Sequence, residues 1–305
     1  MSDTMASLRR KIDSAGDLQS VVRTMKTLAA SNIGQYERSL RALSDYYRIV
    51  ELGLGACLRV SPPATTIVRN GRTDMQAIGA VVFGSDQGLV GRFNEVVADE
   101  AVKALGALAG KAEVWAVGER VHGRLLNAGL PLRGLFAVPN SVKAIAPLVG
   151  QILVESETPQ GPRALTELHL FYNRPTSGAV YAPVQQRLFP LDAGWRRKLT
   201  EPPWPTKNLP EVVGSGGATL RALIHEYLFV SLFRACAESL ASENASRLAA
   251  MQRAEKNIDE LLETLNGLFH RLRQSSIDEE LFDVISGFEA LSKPRVSRGS
   301  DEQGA

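Results

Sequence analysis

Cysteine is almost missing from this chain. The two present, Cys57 and Cys236, stand 179 positions apart. They can build neither a disulfide framework nor a cysteine zinc site, and a reducing compartment fits. Proline is missing from both ends: none precedes Pro62, and none lies between Pro210 and Pro294. Proline costs roughly 3 kcal/mol inside a helix, so these ends are free to form long helices. No apolar run approaches the roughly 18 residues that suggest a membrane-spanning helix. An apolar signal core is also lacking, because charges interrupt the N-terminus by Arg9. The protein is expected to be soluble or peripheral to a membrane, not integral. An excess of one charge is absent too. Thirty-five Lys and Arg against 33 Asp and Glu leave a formal +2, too balanced for a protein that coats nucleic acid. No nucleic-acid partner is expected.

What is present is globular: 44% hydrophobic and 22% charged residues over 305 positions. The proline distribution divides the chain into a helical stretch at 1–60, a mixed α/β domain with a C-terminal loop at 61–210, a second helical stretch at 211–291, and a polar, disordered tail at 292–305. In the first stretch Leu18, Val22, Met25 and Ala29 step by helical intervals. Ile33, Tyr36, Leu40, Leu43, Tyr47, Val50 and Leu54 form an unbroken heptad seam. A helix from Met5 to Leu58 spans on the order of 80 Å at 1.5 Å per residue. In the last stretch Ala254, Ile258, Leu261, Leu265, Leu268 and Leu272 form one heptad series. Ile277, Leu281, Val284, Phe288 and Leu291 form a second, out of phase with the first. A helix from Leu220 to Leu291 would span roughly 110 Å, with Gly267 and Gly287 the candidate breaks. The economical arrangement is an antiparallel coiled coil of the two ends. The simpler alternative is a set of ordinary bundle helices separated by turns.

The middle alternates strands and helices. Ala77–Phe83, Glu113–Val117 and Leu132–Val138 read as strands. Phe93–Leu108, Glu119–Asn127 and Val142–Glu155 read as helices, the last with Pro147 inside it. Leu165–Asn173 and Ala179–Leu188 read as a strand pair. This alternation predicts a small Rossmann-like α/β sandwich. Trp195–Gly217, rich in Pro and Gly, reads as a linker or surface loop.

Catalytic signatures fail one after another. The only Gly-Lys pair, Gly110-Lys111, is followed by Ala112 and makes no P-loop. Gly84, Gly88 and Gly91 are spaced G-x3-G-x2-G, not as a dinucleotide fingerprint. A tight turn is the simpler role for them, and an anion at the following helix start the bolder one. His225-Glu226 lacks the second histidine of a zinc helix, since Phe229 stands there. No metal, cofactor or catalytic residue is expected. Two alternatives stay open: a small α/β enzyme or anion-binding protein with helical dimerisation arms, and a coiled-coil scaffold.

Three segments carry a resemblance. Val21-Val22-Arg23-Thr24-Met25-Lys26-Thr27-Leu28-Ala29-Ala30-Ser31 is similar to I-T-x-A-M-K-M-V-A-A-S. Ser85-Asp86-Gln87-Gly88-Leu89-Val90-Gly91-Arg92-Phe93-Asn94 is similar to S-D-[RK]-G-L-C-G-G-[FL]-N. Ser242-Glu243-Asn244-Ala245-Ser246-Arg247-Leu248-Ala249-Ala250-Met251, then Arg273-Gln274-Ser275-Ser276-Ile277-Asp278-Glu279-Glu280, then Gly287-Phe288-Glu289-Ala290-Leu291 follow S-E-x-x-A-R-M-x-A-M, R-Q-x-x-I-T-x-E and G-A-x-A-L. Together, and in this order, they resemble the γ subunit of F-type ATP synthases, the central rotor stalk. Glu201-Pro202 stands where that family often has Y-E-P. Departures at Gln87, Val90, Arg92, Asp278 and Phe288 suit a divergent branch, such as the alternate Na⁺-linked type.

The resemblance implies a non-catalytic subunit of a rotary complex, peripheral to the cytoplasmic side of a bacterial plasma membrane. Its partners would be the α and β subunits of the catalytic ring, the ε subunit and the membrane c-ring. Carried over position by position, it makes Arg273 and Gln274 donors to β-subunit carboxylates, with Glu280 nearby and Asp278 at a position where the family has Thr. Met25 and Lys26 pack near the same level on the opposing helix, Phe288 adds bulk in an apolar sleeve, and Glu201 belongs to the ring-facing end. Charge suits the pairing. Residues 1–50 hold 8 Lys or Arg against 5 Asp or Glu, and residues 215–291 hold 7 against 12. Exposed pairs of this kind are worth only tenths of a kcal/mol each, so the heptad seams must hold the helices together.

Overall fold

The computed structural model describes residues 4–60, 77–108, 111–157, 165–177, 180–208, 210–211 and 216–292. Residues 61–76 and 178–179, and those from 293 onward in the expected tail, lie outside the described residues. The chain forms two units, one of Met1–Thr24 with Arg253–Ala305 and one of Met25–Gln252. Helices α1 (Met5–Val60) and α6 (Gly216–Ser292) each contribute to both. Gly267 and Gly287 both lie within α6, so neither breaks it.

The larger unit is built on a five-stranded sheet. Strands β1 (Ala77–Phe83), β2 (Lys111–Val117), β3 (Leu132–Phe136), β4 (Leu165–Arg174) and β5 (Ala182–Phe189) lie in the order β3-β2-β1-β4-β5. The first four are parallel, and β5 runs antiparallel to β4. All seven residues of β1 are buried, as expected of a central parallel strand covered on both faces. Helices α2 (Phe93–Gly106), α3 (Glu119–Asn127) and α4 (Val142–Glu157) connect the parallel strands. Val97 and Ala101 of α2, with Val121 and Leu125 of α3, pack on one face against Ile78, Ala80, Val82 and Phe171. On the other face Val81, Phe83, Trp115 and Tyr172 meet α4, the α1 residues Val50, Leu54, Cys57 and Leu58, and the α6 residues Leu232, Ala235, Cys236 and Leu240. The heptad seam read from Ile33 to Leu54 holds: Tyr36, Val50 and Leu54 are buried and its other members half-buried.

The loop expected from Trp195 onward contains a helix, α5 (Ala193–Thr200). Asp192 caps it by accepting from the Trp195 N–H at 2.8 Å. Pro202 and Pro203 close after eight residues a segment too short to show a helical period. The strand read from Ala179 begins at Ala182, and the one read to Val138 ends at Phe136.

In the smaller unit the seam differs from the sequence reading. Leu8, Ala15 and Val22 of α1 are buried and Ile12 half-buried, whereas Leu18 is exposed. Gln19 takes the seam position beside it, and its amide donates to Asp259 of α6. On α6, Leu262 and Phe269 sit half-buried where Leu261 and Leu268 were expected, and the latter two are exposed. Each correction is a shift of one residue between apolar or amphipathic neighbours. A helix of 3.6 residues per turn drifts against a strict heptad, so it can present either neighbour inward. Arg23 pairs with Glu255 at 3.1 Å on the flank.

Candidate partner-contact surfaces and the sheet-to-helix joint

Beyond Leu272 the apolar positions of α6 turn outward. Ile277, Leu281, Val284 and Phe288 are exposed, Phe288 by 73%. Phe282 and Ile285 widen the stripe. Leu291 belongs to the helix, but its side chain lies outside the described residues. Large exposed apolar stripes mark surfaces that another molecule covers. Arg273, Gln274, Asp278 and Glu280 are exposed on the same stretch. Gln274 and Asp278 are four residues apart and share one face, and Arg273 and Glu280, seven apart, share another. These residues thus form one exposed polar segment next to the apolar stripe.

Met25 and Lys26 belong to the larger unit and are half-buried on α1. Glu201 is exposed just past α5, where its N–H donates to the Arg197 carbonyl at 2.9 Å. Two arginines fix this end of the fold. Arg59 donates to the carbonyls of Thr200, at 3.0 Å, and Pro202. Arg196 donates to the Leu58 carbonyl at 2.8 Å. Each turns an unsatisfied helix-end carbonyl into a tether between α1 and α5.

The glycine-rich loop after β1 spends its polar groups on bracing. Ser85 N–H donates to Asn94 Oδ1 at 2.9 Å, and Asn94 Nδ2 donates to Ser85 Oγ at 2.8 Å. The carboxylate of Asp86 accepts from the backbone N–H groups of Glu119 and Val138, at 3.0 and 2.9 Å. Gly118, which starts α3, has φ +112°, and a Cβ there would lie 2.8 Å from the Ser85 backbone. An open cleft of about 380 Å³ lies beside Gly88 and Gly91, but Arg124 at its wall already pairs with Glu95. Among the described residues no group of three or more His, Cys, Asp or Glu is placed to hold a metal.

The same loop and the end of β4 meet α6 through a polar row that sequence reasoning did not single out. Glu238, Ser242 and Ser246 follow one another at four-residue intervals and are all buried. Glu238 accepts from Arg174 Nε at 2.6 Å and from Arg234 Nε at 2.8 Å. Ser242 donates to the Asn173 carbonyl at 3.0 Å, and Ser246 to the Val90 carbonyl at 2.6 Å. Beside the row, Arg247 Nη2 donates to Glu243 at 2.7 Å. Burial, the main cause, raises the Glu243 carboxyl above its ordinary range, and the Arg247 charge opposes this. The motifs at 85–94 and 242–251 thus meet in space, which their spacing in sequence did not reveal.

The architecture defines a class: a parallel α/β sheet packed against two long terminal helices, with an exposed apolar stripe near the end of the second. The ATP synthase family model matches residues 4–291. The ATP synthase gamma chain of Clavibacter michiganensis subsp. michiganensis is 28% identical over 296 residues, covering 94% of this chain and 97% of that protein. The gamma chain of Nitrosomonas eutropha is 25% identical over 297 residues, covering 93% and 98%. In fold, the chain resembles one in the Euglena gracilis mitochondrial ATP synthase assembly of OSCP, F1 and c-ring, with a TM-score of 0.61 at 15% identity and coverage of 98% and 99%. It also resembles one in the central stalk and c-ring of the Tetrahymena thermophila mitochondrial enzyme, with a TM-score of 0.54 at 21% identity and coverage of 77% and 99%. The chain belongs to the ATP synthase γ family.

Proposed function

We infer that this chain works as the central-stalk rotor of an F-type ATP synthase, coupling rotation of a membrane c-ring to conformational cycling of a catalytic α/β ring. It contributes no catalytic group of its own. The ring's subunits adopt different states because each meets a different face of an asymmetric rotor, so a change of angle shifts their populations. The observation that carries this reading is the contrast along α6. Ile258, Leu265 and Leu272 are buried or half-buried, while Ile277, Leu281, Val284 and Phe288 are open. An apolar sleeve in a surrounding ring suits those open positions.

In this reading Arg273 and Gln274 donate to β-subunit carboxylates, Glu280 supplies a second polar contact, and Asp278 sets the local charge. Met25 and Lys26 contribute from α1, and Glu201 belongs to the end that meets the ε subunit and the c-ring. No described helix is long and apolar enough to cross a membrane. A peripheral position on the cytoplasmic face of a bacterial plasma membrane, held through the complex, fits this. Co-purification from native membranes tests the assignment. The expected complex holds three α and three β subunits for each copy of this chain. A chain recovered as a free homodimer, or bound to nucleotide by itself, would overturn it.

A further inference from the structure

The row Glu238, Ser242 and Ser246 is an anomaly in its surroundings. Immediately before it, α6 packs on the sheet through apolar side chains such as Leu232, Ala235 and Cys236. Apolar contact is non-directional, so it fixes the rotational setting of a helix less sharply than hydrogen bonds do. From Glu238 onward one face of α6 instead makes directional bonds, at one-turn intervals, to the C-terminal edge of the sheet. Two of the three acceptors or donors opposite are consecutive residues at the end of β4, Asn173 and Arg174. The third is Val90, in the loop after β1.

The receiving side is itself braced. Asn173 Nδ2 donates to the Phe93 carbonyl at 2.9 Å, tying the end of β4 to the start of α2. Arg174 Nη2 also donates to the Tyr172 hydroxyl at 2.5 Å. The Val90 carbonyl accepts from the Phe93 N–H as well as from Ser246. A rotation of α6 would break all three cross-contacts at once, leaving the buried Ser242 without its partner and Glu238 with only Arg234 of its own helix. Unmatched buried polar groups are what make such a displaced state unfavourable.

We propose that Glu238, Ser242 and Ser246 form the torque joint of the rotor, locking α6 in rotational register with the sheet so that the two turn together. The proposal rests on the rotor assignment above. The three residues act through Arg174, Asn173 and Val90 and are positioning residues. They matter to coupling and not to the chemistry of ATP.

The test uses the assembled complex in sealed vesicles, scoring ions pumped per ATP hydrolysed and the angular spread of a probe fixed to the rotor. Glu238→Gln combined with Ser242→Ala and Ser246→Ala is expected to keep ATP hydrolysis, lower pumping per ATP by at least about fivefold and broaden the angular spread. Within that series, Ser246→Thr, which keeps the hydroxyl, returns part of the loss that Ser246→Ala causes. Ser39→Ala removes a hydroxyl bond made within α1, to the Tyr36 carbonyl, and leaves both readouts unchanged. Unchanged pumping per ATP in the triple variant overturns the joint. So does a parallel loss of hydrolysis and pumping that Ser246→Thr does not relieve, or a triple variant that fails to assemble while Ser246→Ala alone is normal in both readouts. A wild-type complex that hydrolyses ATP without pumping overturns the rotor assignment and the joint with it.

Discussion

The Ser246 hydroxyl donates to the Val90 carbonyl at 2.6 Å across 156 positions of sequence. This contact joins the stretch from Ser85 to Asn94 to the stretch from Ser242 to Met251. Both resemble family motifs. Each supplies one side of a buried polar contact between α6 and the loop after β1. Arg273, Gln274, Asp278 and Glu280, by contrast, sit exposed on α6 beyond Leu272.

Arg273 and Gln274 are exposed in the chain, so their removal should not weaken the fold. Arg273→Ala combined with Gln274→Ala is expected to leave assembly intact and lower coupled ATP turnover by about tenfold, the scale of one or two charge-assisted hydrogen bonds. Turnover and coupling in the reconstituted complex check this. Normal coupled turnover would remove both residues from the contact.

The revised seam of the smaller unit gives a paired test. Leu8 is fully buried and Leu18 is 54% exposed, although both are leucines on the same helix. Leu8→Ala should destabilise the chain by about 2–5 kcal/mol, the range for emptying a buried leucine site. Leu18→Ala should stay within about 0.5 kcal/mol. Denaturant midpoints of the full chain decide. Equal costs would restore Leu18 to the seam.

Much of this fold was legible because its signals are long. The Pro-free ends and the heptad from Ile33 to Leu54 identified α1 and α6, and the apolar run Ala77–Phe83 identified the central strand. What escaped was set by tertiary competition. Leu261 and Leu262 are equally apolar, and only packing decides which faces inward. Helix α5 carries its start signal in Asp192, but eight residues are too few for a period to emerge from the surrounding Pro and Gly. The polar row at Glu238, Ser242 and Ser246 was hidden because buried serines and solvated ones look alike in sequence. Their partners are backbone carbonyls, which leave no residue signature.

Gly118 should resist any side chain. Its φ of +112° lies where L-residues are strained, and the added Cβ would meet the Ser85 backbone at 2.8 Å. Gly118→Ala is expected to cost about 1–3 kcal/mol from the backbone conformation alone, with the clash adding to it. The Ser85–Asn94 pairing should loosen with it. Thermal unfolding and amide exchange at Ser85 measure the two effects, and an unchanged melting temperature would count against the geometry.

Helix α5 should depend on pH through its cap. The Trp195 N–H bond is the main reason that the Asp192 carboxyl titrates below its ordinary value of 3.8, with Arg187 adding to the effect. A carboxyl whose folded value is depressed stabilises the fold above its unfolded value, and that contribution is lost as pH falls through the lower, folded one. Protection of the Trp195 amide is therefore expected to be full above pH 3.8 and to decline progressively below it. Asp192→Asn keeps an acceptor without a titrating group, so it should hold the cap with no such decline. Asp192→Ala should lower the protection by about fivefold at every pH, the scale of a lost N-cap. Hydrogen exchange followed at Trp195 across this range separates the three. A wild-type profile that matches Asp192→Asn at low pH would show that the carboxylate charge contributes nothing to the cap.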